Sequence, residues 1–84
     1  GMNVTLKYFA SIREAIGQGS ESVHTQATTL DALRDELIAR GGAYAEALAR
    51  GRAVRTAVNQ DLCDGAMVLS DGCEVAFFPP VTGG

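Results

Sequence analysis

The sequence is poor in the residues on which most stand-alone chemistry depends. Its 84 residues include no tryptophan, one histidine, one lysine and two cysteines. Acids outnumber bases, giving a net charge of −3. A nucleic-acid binder needs a basic excess or stripe. The local cluster Arg50, Arg52 and Arg55 reads instead as a solvated rim at the end of a helix, so no nucleic-acid partner is expected. Cys63 and Cys73 are too few for a disulfide-stapled scaffold. They also lack the histidine motif or second cysteine pair of a zinc or nucleophilic site, so no metal is expected. His24 has no acid or nucleophile at motif spacing and reads as a surface or satisfied histidine. The ten glycines form no phosphate-binding loop. No apolar run approaches the roughly 18 residues of a membrane span. Lys7 interrupts the first apolar stretch, so no signal peptide and a cytoplasmic location with reduced thiols are expected. Gly1 ahead of Met2 reads as a remnant of expression and carries no weight. Finally, a core and a pocket of roughly 300–1,000 Å³ would compete for the same side chains at this length. A self-contained enzyme is therefore not expected.

What is present is ordinary globular patterning, 46% apolar and 20% charged. Met2 to Phe9 alternates with period two, placing Met2, Val4, Leu6 and Tyr8 on one face. Ser11 and Glu14 have capping-box spacing, which predicts a short helical turn ending at Gly17. Glu21 to Thr25 reads as a short strand with Val23 inward. Thr28 and Asp31 form a second capping box ahead of Leu30, Leu33, Leu37 and Ile38, a helical core stripe ended by Gly41-Gly42. Ala43 to Arg50 predicts a second short helix. Val54 to Val58 reads as a strand, Asn59-Gln60-Asp61 as a turn, and Leu62-Cys63 as a short return strand. Glu74 to Phe78 is the last strand, with Val75 and Phe77 on one side. Strands in runs with one main helix predict an α+β fold, a mixed sheet with the helix on one face. The first and last strands are the longest and most apolar, so they pair in its middle.

The same alternation sends Phe9 and Phe78 to the outer face, where Leu62 could join them. A contiguous exposed apolar patch marks an interface; the competing reading folds both rings back into the core. Both are expected to be substantially exposed in the isolated chain. Arg13, just past the first strand, is expected to make a rim contact to a carboxylate or carbonyl of a partner.

Beyond the last strand come Pro79-Pro80-Val81-Thr82-Gly83-Gly84, with no charged side chain. Pro79 and Pro80 cannot extend a sheet ladder and favour a stiff polyproline exit. Six extended residues reach roughly 20 Å. Gly83 and Gly84 can pass through a channel too narrow for a Cβ. The expected division is a domain over residues 2–78 and an extended tail over 79–84, mobile from about Val81 when unbound. Such a tail has the shape expected for presenting the α-carboxylate of Gly84 inside another protein's active site; the competing reading is an ordinary frayed terminus. A carboxylate is a poor electrophile and needs activation, most simply as an acyl adenylate made with ATP.

Glu74-Val75-Ala76-Phe77-Phe78-Pro79-Pro80-Val81-Thr82-Gly83-Gly84 closely resembles the C-terminus of the small-subunit family of molybdopterin synthase, the MoaD family. Tyr8-Phe9-Ala10-Ser11-Ile12-Arg13-Glu14 is similar to that family's first-strand motif, and Ala57-Val58-Asn59-Gln60 to its middle motif. The resemblance covers essentially the whole chain. It implies a ubiquitin-like β-grasp fold and a sulfur carrier with no permanently bound cofactor. An activating enzyme would adenylate Gly84 using ATP, and a sulfurtransferase would supply sulfur, leaving a covalent 1-thioglycine at Gly84. The carrier would then insert Pro79, Pro80, Val81, Thr82, Gly83 and Gly84 into the large synthase subunit, in a two-plus-two heterotetramer. There it would give sulfur to a pterin precursor to build a dithiolene. Phe9, Arg13, Leu62 and Phe78 match the surface both partners grip. Cys63 and Cys73 depart from the family pattern, where polar residues are common, and no sulfur chemistry is assigned to them.

Two alternatives use the same fold or surface. One is a related carrier or modifier, supplying sulfur for thiamin thiazole or tagging lysines through Gly-Gly; the Phe-Phe-Pro-Pro segment argues against it. The other is a non-covalent adaptor that uses the aromatic patch and leaves the tail idle.

Overall fold

The computed structural model describes residues 1–81. The chain runs β1 (Met2–Tyr8), α1 (Ala10–Ile16), β2 (Ser20–Thr25), α2 (Leu30–Ala39), α3 (Gly42–Ala47), β3 (Arg55–Val58), β4 (Asp61–Cys63) and β5 (Glu74–Phe78). The strands form one mixed sheet in the order β2-β1-β5-β3-β4. The first and last strands are central and parallel, with Leu6 opposite Val75 and Tyr8 opposite Phe77. The flanking pairs β1–β2, β5–β3 and β3–β4 are antiparallel.

The alternation places Val4, Leu6 and Tyr8 of β1 and Val75 and Phe77 of β5 beneath the helices. Leu30, Leu33 and Leu37 of α2 meet them, and all three are essentially inaccessible. Burial of each leucine contributes roughly 1.5–3 kcal/mol. Tyr8 and Phe77 stack, with ring centroids 6.1 Å apart. The outer face has no covering layer among the described residues, so what lies on it is set by Asn3, Thr5, Lys7, Glu74, Ala76, Phe78, Arg55, Ala57 and Leu62.

Several local details differ from the sequence reading. The Ser11 capping box is not used. Phe9 caps α1 through its backbone, its carbonyl accepting from the N–H groups of Ile12 and Arg13. The reason is a tether: the Phe9 N–H donates to the Phe77 carbonyl at 3.2 Å, so the chain stays on the sheet until Phe9 and must turn at once. Ala10 makes that turn with φ 51°, a left-handed value for a residue with a Cβ. The cap of α2 is Thr29, not Thr28. Thr29 has extended backbone, and its hydroxyl accepts from the Ala32 N–H at 3.2 Å. The Thr28 carbonyl is instead occupied by the Leu69 N–H. Helix α3 stops at Ala47, because Arg34 reaches across to take the Leu48 and Ala49 carbonyls at 2.8 and 2.9 Å.

The expected rim of three arginines does not exist as a cluster. Arg50 pairs with Asp31 and Asp35 on α2. Arg55 lies on the outer sheet face, opposite Phe78. Arg52 is exposed.

Candidate functional site

The outer face of β5 and β3 is floored by two alanines. Ala76 and Ala57 are cross-strand partners and are 7% and 6% exposed, yet neither belongs to the core beneath the helices. Around this low floor stand larger apolar groups: Phe9 at the β1–α1 corner, Leu62 on β4 opposite Ala57, and Phe78 at the end of β5. Together they enclose an open groove of about 560 Å³. Pro79, Pro80 and Val81 complete its wall. Phe9 is 49% exposed, Leu62 65% and Val81 86%.

Phe9 and Leu62 thus sit outward as their sequence positions require. Phe78 is a correction: it is half-buried, not substantially exposed. It shares the groove with the prolines that follow it and the alanines beside it, so its ring has neighbours on the outer face. The reading that folds both rings into the core does not hold either, since neither belongs to the core cluster. Arg13 is exposed on α1 and lines a shallow recess with Lys7, Phe9 and Gln60 beside the groove. Thr82, Gly83 and Gly84, and the expectation of tail mobility that falls on them, lie outside the described residues.

Sequence reasoning read a turn at Asn59-Gln60-Asp61 but missed how it, and a second device, hold this face in shape. The β3–β4 hairpin turns on Asn59 and Gln60 alone, with φ 49° and 70°. Two left-handed residues in succession make a type I′ turn, which favours asparagine first. Asn59 also ties the hairpin to β5. Its N–H donates to the Glu74 carbonyl at 2.8 Å, and its side-chain oxygen accepts from the Glu74 N–H at 3.0 Å. Gln60 is thereby placed on the groove.

A second device lies behind the Phe9 corner. The Glu21 carboxylate on β2 accepts from the Tyr44 hydroxyl at 2.6 Å, the Tyr8 hydroxyl at 3.0 Å and the Arg40 guanidinium at 3.0 Å. Gln18 adds a donor at 3.2 Å. Burial alone would raise the Glu21 carboxyl, but the bonds from Tyr44, Arg40 and Tyr8 outweigh it and hold it below the ordinary carboxylate value. Burial, and then the neighbouring carboxylate, push the Tyr8 phenol far above its usual value. The network joins β1, β2, α2 and α3 one residue behind Phe9.

The remaining reactive side chains are quiet. His24 is exposed, with Nδ1 3.1 Å from the Asn3 side-chain oxygen. Cys73 is buried in the core and Cys63 half-buried. Burial pushes the Cys63 thiol up, which keeps it protonated at neutral pH. No group of three or more His, Cys, Asp or Glu among the described residues could hold a metal. No helix among them is long and apolar enough to cross a membrane.

The fold defines the class: a ubiquitin-like β-grasp domain, here with an apolar groove on its open sheet face and a chain exit beside it. The family model described as the ThiS family matches residues 6–84, and the chain belongs to that family. It is 42% identical over 81 residues to the molybdopterin synthase sulfur carrier subunit of Escherichia coli (strain K12), covering 96% of this chain and 99% of that one. Its structure is similar to that of a putative molybdopterin converting factor subunit 1 from Pyrococcus furiosus, with TM-score 0.79 and 26% identity over 96% of this chain and all of the other. It is similar also to a chain in the complex of subunits 1 and 2 of molybdopterin-converting factor from Helicobacter pylori 26695. That match has TM-score 0.70 and 27% identity and covers 99% and 100% of the two chains.

Proposed function

We propose that this chain is the sulfur carrier subunit of molybdopterin synthase. The observation that carries the reading is the position of the tail's first residues. Pro79, Pro80 and Val81 form one wall of the apolar groove, so a protein that grips the groove also receives the arm that leads to Gly84. The name of the Escherichia coli relative, and the paired subunits of the Helicobacter pylori complex, support the same assignment.

The chemistry is divided between molecules. An activating enzyme takes the Gly84 carboxylate and ATP, forms the acyl adenylate and releases pyrophosphate. The persulfide of a sulfurtransferase attacks the adenylate carbonyl and expels AMP, and a thiol then cleaves the resulting acyl disulfide, becoming oxidised to a disulfide itself and leaving a thiocarboxylate, the 1-thioglycine form of Gly84. A thioacid is ionised at neutral pH and its sulfur is a soft nucleophile. The large synthase subunit, in a two-plus-two assembly, then receives the tail and holds that sulfur against the pterin precursor. Holding the reacting atoms about 3–3.5 Å apart is the partner's contribution, as are the acids and bases. Phe9, Leu62 and Phe78 anchor the carrier, Arg13 contacts the rim, and the stiff diproline directs Thr82, Gly83 and Gly84 away from the fold. The setting is the cytoplasm, where ATP is at hand.

Intact-mass measurement after incubation with the activating enzyme, ATP and a sulfur source tests the first half. The expected result is exchange of one oxygen for sulfur. Adding the large subunit and the pterin precursor should return the carrier to its carboxylate mass as dithiolene forms. Sulfur gain without discharge to the large subunit would instead favour a related carrier or modifier.

A further inference from the structure

We infer that the groove face is a cation-rimmed platform selecting a partner surface whose apolar centre is bracketed by carboxylates, and that Arg55 and Lys7 are its specificity-determining residues. This rests on the reading that the groove takes the large synthase subunit.

Three cations stand near the groove, though none is among its lining residues. Arg55 on β3 is the register partner of Phe78, and Lys7 on β1 that of Ala76, so both lie on the outer face. Arg13 projects from α1 beside Phe9. None of the three has an ion pair or a side-chain hydrogen bond among the described residues. The other cations are differently placed: Arg40 pairs with Glu21, Arg50 with Asp31 and Asp35, and Arg34 donates to two backbone carbonyls. The one carboxylate lining the groove is Glu74.

This face is therefore net positive in a chain whose net charge is −3. Most acids lie elsewhere, including Asp31, Asp35 and Glu36 on α2 and Glu46 on α3. An acidic partner would attract the groove face and repel the helical face, which orients the encounter before contact. Three cations around an apolar floor suit a protein surface better than a nucleic acid, whose binders carry a basic excess or stripe. Rim charges of this kind act on association rate and its salt dependence more than on dissociation.

The test is stopped-flow association of the full chain with its cognate large subunit at low and high salt. Lys7→Glu and Arg55→Glu should each slow association roughly tenfold at low salt. The effect should collapse at high salt, with dissociation little changed. Arg52→Glu makes the same charge change outside the groove and should have a much smaller effect. Unchanged low-salt rates for both groove variants, or equal slowing by Arg52→Glu, would overturn the proposal. If the wild-type chain binds and Phe78→Ala weakens it while the charge variants do not, only the rim falls. If the wild-type chain does not bind the large subunit at all, the function reading falls with it. Thermal melts of each variant guard against misfolding.

Discussion

Phe78 belongs partly to the fold and, on the proposed function, partly to the partner. Its ring is half-buried against the groove, so truncation removes contacts in the free chain as well as in the complex. Phe78→Ala should cost about 1–2 kcal/mol of stability and about 2 kcal/mol or more of binding. Phe9 is half-exposed and outside the core, so Phe9→Ala should lose binding with a smaller shift in melting temperature. Titration calorimetry against the large subunit, beside thermal melts of both variants, checks the pair. A Phe78→Ala variant that melts far lower yet binds normally would make the ring structural. The alanine floor makes the complementary prediction. Ala76→Leu raises a side chain into the groove without entering the core, so it should weaken binding while the melting temperature stays within a few degrees. The outward placement of Phe9 and Leu62 was legible because strand alternation is strict. The half-burial of Phe78 was not, because it depends on Pro79 and Pro80 sharing its groove.

The β1–α1 corner is fixed from behind by the Glu21 network, and its pH response follows from the charge state of that carboxylate. Glu21 is held below its unfolded value, so its contribution is fully present above the ordinary carboxylate range and is lost as pH falls through the folded value. Tyr8 is raised, so its contribution is present below about pH 10 and is lost as pH rises beyond it. Glu21→Gln should lower stability at neutral pH by about 1–3 kcal/mol, because four donors lose an ionised acceptor. It should also flatten the acid limb of a stability–pH curve measured by urea denaturation. An acid limb identical to that of the wild type would remove Glu21 from this role. The elements themselves were largely readable. The leucine stripe of α2 and the two central strands follow from periods of 3.6 and 2 in long apolar segments. The helix starts were not, since tertiary bonds decided them: Phe9 is tethered to Phe77, and the Thr28 carbonyl is taken by Leu69. The Glu21 network was likewise hidden, because Tyr8, Glu21, Arg40 and Tyr44 are brought together only by the packing of four elements.

Taken whole, the described residues form a small domain with one open sheet face, beside which the chain leaves at Pro79. Its core uses one side of the sheet, which leaves the other side free for an apolar groove. The tail motif was the most legible feature of the sequence, although Thr82, Gly83 and Gly84 lie outside the described residues. The groove it leaves beside needed the fold, because Ala57 and Ala76 look unremarkable until β3 and β5 pair. The central claim is that Gly84 carries the reacting carboxylate at one fixed reach from this body. Deleting Gly84 moves the terminal carboxylate back by roughly 3.5 Å, more than the tolerance of a near-attack geometry. Nothing in the core changes. The decisive measurement is intact mass of the Gly84 deletion and the wild-type chain after equal exposure to activating enzyme, ATP and sulfur source, with a thermal melt of each. The carrier mechanism predicts a thiocarboxylate on the wild type, none on the deletion, and the same melting temperature for both. Sulfur gained by the deletion at the wild-type rate would contradict it.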